Sequence, residues 1–197
     1  MKILLALPDR DLLSGLCDIL TLDGNDVRCA FDGIQAAKHA AEGGFDAALV
    51  DRALPRADLR AMTELLHASG TPVVVATKDR FSADLIKNAY AESYMTYPFL
   101  VSDLTETLSG VTEKAKSGRI IDVCGIAVDV SGFTMGGRVR LTNEEIDVLE
   151  AVCEGRSLPS RHREIYVASL NAKISQIDPS RRIEYVRGEG YRATVTE

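Results

Sequence analysis

The stretch Ala47-Ala48-Leu49-Val50-Asp51-Arg52-Ala53-Leu54-Pro55 constrains the fold more than any other. A short apolar run ends in one carboxylate, and a turn with proline follows at once. This pattern suits a buried parallel strand that delivers an acid to the carboxyl edge of a sheet, where α/β folds place their sites.

The surrounding residues 1–116 can be arranged around that strand. Residues 3–7, 27–30, 47–50, 73–76 and 93–96 read as strands. Asp9 or Asp11 can cap a helix in which Leu12, Leu13, Leu16, Ile19, Leu20 and Leu22 recur near period 3.6. A helix at 33–42 turns Ile34, Ala37 and Ala41 inward and closes at Gly43-Gly44. Leu59, Met62, Leu65 and Leu66 point inward from a helix at 58–69. Shorter and longer helices follow at 82–89 and 102–116. Five alternations of strand and helix predict an α/β fold, a doubly wound five-stranded parallel sheet of flavodoxin-like order 2-1-3-4-5.

Ser117-Gly118-Arg119 reads as a linker, and the texture changes after it. Residues 120–197 predict a second, smaller α+β domain. Strands fall at 120–123, 126–130 and 138–141. Thr142 and Glu145 form a capping box for a helix with Ile146, Leu149 and Val152 inward. A second helix spans about 161–177, capped by Ser160, with Ile165, Leu170, Ile174 and Ile177 apolar. Strands at 182–186 and 191–195 flank Arg187-Gly188-Glu189-Gly190 as a hairpin.

Composition excludes several classes. No apolar run approaches the ~20 residues of a membrane span, and the opening apolar run, residues 3–7, is too short for a signal peptide, so a cytoplasmic location is expected. Cys17, Cys29, Cys124 and Cys153 form no CxxC pair, which argues for reduced thiols over zinc or disulfide scaffolding. There is no nucleophile–base pair, metal cluster or Gly-rich phosphate loop, so no enzyme, cofactor or metal is expected. The net charge is −6, yet residues 156–192 hold eight Arg or Lys against four acids. That basic zone suits a phosphate-bearing partner, and it suits a solvated helix face equally well.

Residues 1–116 resemble the receiver domain of bacterial response regulators. The resemblance rests on Lys2-Ile3-Leu4-Leu5, on residues 45–55, on Thr77 and on Tyr94-Met95-Thr96-Tyr97-Pro98-Phe99. It makes Asp51 the phospho-acceptor position. Family members hold a divalent cation with an acidic pair after the first strand, and here Leu7 and Pro8 stand there. Tyr97 stands where the family has a lysine. The resemblance therefore implies an atypical receiver, not switched by Mg²⁺-dependent phosphorylation. Leu7, Pro8 and Tyr97 are expected to leave a drier, more apolar pocket beside Thr77, with Arg52 on the opposite face of its strand. Family dimers use the face built from residues 82–116, which implies a homodimer through Phe81, Ile86, Tyr90, Glu92, Tyr94, Asp103 and Thr107.

Residues 119–197 resemble the winged-helix effector of the OmpR/PhoB subfamily, on residues 141–145, the helix from Arg161, and Val186-Arg187-Gly188-Glu189-Gly190-Tyr191-Arg192. The supporting helix before the recognition helix is missing or cut to a single turn. The candidate contacts to double-stranded promoter DNA are Arg161, His162, Arg163, Tyr166, Ser169, Asn171 and Lys173 on the helix. Ser169 and Lys173 share one face, as do His162 and Tyr166. The hairpin adds Arg181, Arg182, Arg187 and Arg192. The leading expectation is a DNA-binding transcriptional regulator, with RNA polymerase or another regulator as further partner. The alternative is a protein-interaction module that has lost DNA binding, which the missing helix and the net charge favour.

Overall fold

The computed structural model describes residues 1–79, 90–158 and 163–195. They form two compact units that divide after Glu113. The helix expected at 82–89 lies outside the described residues, as do Phe81, Ile86, Arg161 and His162.

In the first unit, β1 (Lys2–Ala6), β2 (Asp26–Ala30), β3 (Ala47–Asp51), β4 (Val73–Thr77) and β5 (Ser93–Thr96) form one sheet in the order β2-β1-β3-β4-β5. All four pairings are parallel. Every residue of β3 and β4 is buried, because helices cover both faces of a parallel sheet. Each fully buried Leu or Val there contributes about 1.5–3 kcal/mol, which outweighs strand propensities that span about 1 kcal/mol.

The helices are α1 (Arg10–Leu22), α2 (Gly33–Glu42), α3 (Leu59–Ala68) and α4 (Val101–Ala115). Three start on aspartates. Asp9 Oδ1 accepts from the amides of Asp11 and Leu12, Asp32 Oδ1 from Gln35, and Asp58 Oδ1 from Ala61. Each cap is worth about 1 kcal/mol. The inward faces correct several expectations. Helix α2 buries Gly33, Ala36 and Ala40 and leaves Ile34 60% exposed. Helix α1 buries Leu13, Leu16 and Leu20 and exposes Leu12, Ile19 and Leu22. Leu65 on α3 is also exposed. A Cβ on Gly33 would lie 2.4 Å from the carbonyl oxygen of Arg56, so only glycine lets the loop after β3 settle on α2.

In the second unit, β6 (Ile120–Val123), β7 (Ile126–Asp129), β8 (Thr134–Met135) and β9 (Val139–Arg140) form an antiparallel sheet in chain order. The two-residue strand β8 was not expected from the sequence. Helices α5 (Asn143–Cys153) and α6 (Arg163–Ile174) follow, then the hairpin of β10 (Arg181–Val186) and β11 (Gly190–Val195). Residues 154–155 are a turn and residues 156–158 have no regular secondary structure. The capping box on α5 is complete: the Glu145 amide donates to Thr142 Oγ1 at 3.2 Å, and the Thr142 amide to Glu145 Oε2 at 2.8 Å.

Candidate functional site

Strands β3, β4 and β5 bring Asp51, Thr77 and Tyr97 to one edge of the sheet. Asp51 pairs with Ala76 across β3 and β4, and Thr77 with Thr96 across β4 and β5. Leu7, just past β1, is fully buried, and Pro8 beside it is exposed. A cavity of about 710 Å³ opens over this edge, lined among others by Pro8, Asp9, Asp51, Thr77 and Tyr97.

Asp51 is 7% exposed. Its Oδ1 accepts from the Ala53 amide at 2.7 Å, and its Oδ2 accepts from the Tyr97 hydroxyl at 2.7 Å. Burial, with the hydrogen bond to Asp51 second, pushes the Tyr97 phenol above its ordinary range; the charges of Asp51 and Asp9 add to this. Thr77 Oγ1 accepts from the Asp79 amide at 3.1 Å. The Tyr97 and Phe99 rings stack with centroids 5.0 Å apart.

Arg52 corrects an expectation. It lies one residue beyond β3, in the turn, so the strand's alternation no longer sets its direction. It lines the same cavity as Asp51, and its guanidinium pairs with Asp79. Sequence reasoning also passed over Lys78, Asp79 and Phe99 as lining residues. Phe99 was legible as part of the Tyr97-Pro98-Phe99 run; the others had no distinguishing signal.

A receiver's divalent cation would need oxygen donors around Asp51. Leu7 and Pro8 offer no side-chain donor. Asp9 spends Oδ1 on two helix amides. Among the described residues no cluster of three or more His, Cys, Asp or Glu could hold a metal ion. The residues present do not fit the cation.

Two residues assigned to the dimer face are engaged inside the first unit. Glu92 is 1% exposed; its Oε2 accepts from the Val73 amide at 2.6 Å and lies 2.9 Å from His67 Nε2. Tyr94 packs on the core, and its hydroxyl accepts from the Tyr90 amide at 3.2 Å. Tyr90 remains 41% exposed with the Arg60 guanidinium over its ring. Asp103 is exposed and Thr107 half-buried on α4, where the Thr107 hydroxyl donates to the Asp103 carbonyl.

In the second unit the largest correction concerns α6. Tyr166, Ser169 and Lys173 are 9%, 1% and 2% exposed, so these side chains are not available to DNA. Ser169 Oγ donates to Glu145 Oε1 at 2.7 Å, and Lys173 Nζ to Glu145 Oε2 at 2.6 Å. Glu145 is fully buried, and an unpaired charge there would be costly. Burial pushes the Lys173 ammonium down, with Glu145 opposing that shift. Asn171 bridges α6 to β10: its Nδ2 donates to the Ile183 carbonyl, and its Oδ1 accepts from the Ile183 amide. The exposed positions of α6 are Arg163, Glu164 and Ala168.

The hairpin keeps its cations at the surface unevenly. Arg187 is exposed at the turn, and Arg182 is exposed but paired with Glu184 at 2.8 Å. Arg192 is half-buried against Gly155 and lies 3.8 Å from Glu189. Arg181 donates to the Cys124 carbonyl and pairs with Asp178.

Fold and edge together define a receiver-type α/β domain followed by a smaller β-rich unit. No family model matches the chain. It is homologous at low identity to response regulators: 24% identical over 196 residues to ArlR of Staphylococcus aureus, covering 87% of this chain and 90% of ArlR. A mutant of RitR superposes over 98% of this chain and 99% of its own, with a TM-score of 0.67 and 19% identity. The receiver domain of the Francisella response regulator 1452 covers 58% of this chain and 98% of its own, with a TM-score of 0.53 and 22% identity. No described helix is long and apolar enough to cross a membrane.

Proposed function

We propose that this chain is a transcriptional regulator of the response-regulator type that binds promoter DNA and works without ordinary phosphorylation of Asp51. The hydrogen bond from Tyr97 to Asp51 carries the reading. It holds the carboxylate with a neutral donor, where phosphoryl transfer would need a metal cation to neutralise charge. Residues 120–197 serve as a shortened winged-helix effector, with residues 154–158 in place of most of the supporting helix. Two copies associate through the receiver face that includes Tyr90, Asp103 and Thr107.

DNA contact centres on the hairpin. Arg187 at its turn, Arg182 on β10 and Arg163 at the start of α6 are the exposed described cations of the original set. Such cations hold phosphates and supply salt-dependent affinity. The exposed part of α6, with Glu164 and Ala168, adds little base reading. The burial of Tyr166, Ser169 and Lys173 favours a second reading, a protein-interaction module that has lost DNA binding.

Mobility shift of genomic fragments with the full chain, at low and high salt, tests the choice. The first reading expects binding with a steep salt slope, and Arg187→Ala reduces that slope by about one. Failure to shift any fragment at low salt selects the second reading.

A further inference from the structure

We propose that the cavity over Asp51 is a binding site for a small amphipathic ammonium compound, a protonated amine on an apolar or aromatic body. Its volume, about 710 Å³, falls in the range of small-molecule sites, roughly 300–1,000 Å³. The chemistry of its walls then selects the ligand.

At the floor, Asp51 is 7% exposed. Its two partners are an amide and a phenol, both neutral. Among the described residues no Lys or Arg pairs with it. A carboxylate held this deep on neutral donors favours a cation brought from outside. The two oxygens have accepting capacity left, and the Tyr97 hydroxyl, which donates to Asp51, can still accept. An ammonium has the donors for both.

The walls favour an apolar body. The stacked rings of Tyr97 and Phe99 give an aromatic surface, with Leu12 and Pro98 beside it. An ammonium next to these rings also gains cation–π attraction. The lining charges disfavour an anion. Arg52 and Asp79 pair with each other, which leaves Lys78 against Asp9 and Asp51. A bare divalent ion is disfavoured by the donor set already described.

Such a ligand would be the input that stands in place of phosphate. That regulatory role rests on the proposed function; the binding site does not. Loss of DNA binding would leave the site intact, and failure of ligand binding would leave the DNA reading intact.

The test is a titration of the full ¹⁵N-labelled chain with phenethylamine, followed by amide chemical shifts. Phenethyl alcohol and 3-phenylpropionate serve as neutral and anionic controls. The expected result is saturable shifts at Ala53, Asp79 and Phe99 with a Kd of about 0.1–10 mM. Both controls bind at least roughly tenfold more weakly. Asp51→Asn keeps an acceptor for the Ala53 amide and abolishes the preference for amine over alcohol. Ala53→Leu, an exposed turn position on the cavity wall, narrows the cavity without touching the carboxylate and weakens amine and alcohol together. The proposal is overturned by an absence of saturable shifts up to about 100 mM amine, ten times the weakest expected Kd, by equal affinity for amine and alcohol, or by a preference that survives Asp51→Asn.

Discussion

The Tyr97 hydroxyl donates a 2.7 Å hydrogen bond to Oδ2 of Asp51. Tyr97, the residue after β5, is thereby one of two neutral donors that hold the Asp51 carboxylate, with the Ala53 amide the other. Burial first and Asp51 second push the pKa of the phenol up.

Incubation with acetyl phosphate and Mg²⁺, followed by intact mass, checks this directly. The chain is expected to keep its unmodified mass. Tyr97→Phe frees Oδ2 but restores no cation site, so it is expected to stay unmodified as well. A stoichiometric adduct on Asp51 in the unaltered chain would sink the phosphorylation-independent reading.

Stability is expected to fall at alkaline pH. Burial, reinforced by Cys17, pushes the Cys29 thiol up to about 12, and the Tyr97 phenol is also raised. The unfolded chain releases these protons from about pH 9 for cysteine and about pH 10 for tyrosine. The folded state therefore binds more protons in that window, and stability drops as pH rises. The contribution is intact below about pH 9 and is lost toward about pH 12. Urea midpoints between about pH 8 and 11 measure it, and Cys29→Ala with Tyr97→Phe should flatten the slope. A midpoint that rises with pH in this range contradicts the assignment.

Lys173→Met leaves Glu145 buried and uncompensated, and is expected to destabilise the second unit by about 3–5 kcal/mol. Glu145→Gln in the same chain recovers part of the loss, because glutamine still completes the capping box. Urea denaturation followed by circular dichroism reads both variants. A lysine that merely faced solvent or DNA would change stability by no more than about 0.5 kcal/mol.

Asn171→Ala removes two hydrogen bonds to Ile183, at 2.8 and 2.7 Å. The Ile183 residue is 2% exposed, so its backbone groups lose their partner without gaining water. The expected cost is about 1–3 kcal/mol, with faster hydrogen exchange at the Ile183 amide. Unchanged exchange there would return Asn171 to the set of candidate DNA contacts.

The strands of the first unit were readable because a strand buried on both faces needs an unbroken apolar run, as in residues 47–50 of β3 and 73–76 of β4. Helix faces were harder to read. In α1, six Leu and Ile residues near one period could not all turn inward, and packing chose Leu13, Leu16 and Leu20. In α2 the close approach of Arg56 to Gly33 turned the small residues inward and left Ile34 outside.

By itself the sequence determined the alternation of strands and helices, the position of Asp51 at a strand end, Leu7 and Pro8 with no side-chain donor after the first strand, and the capping box at Thr142 and Glu145. Only the tertiary structure decided what those residues meet. Ser169 and Lys173 share a face at helical spacing, but Glu145, 24 and 28 residues earlier, turns that face inward. Tyr97 reaches Asp51 across 46 residues of chain. Periodicity records which side chains lie together on one element; the direction that side takes depends on distant partners whose burial and pairing outweigh local preference.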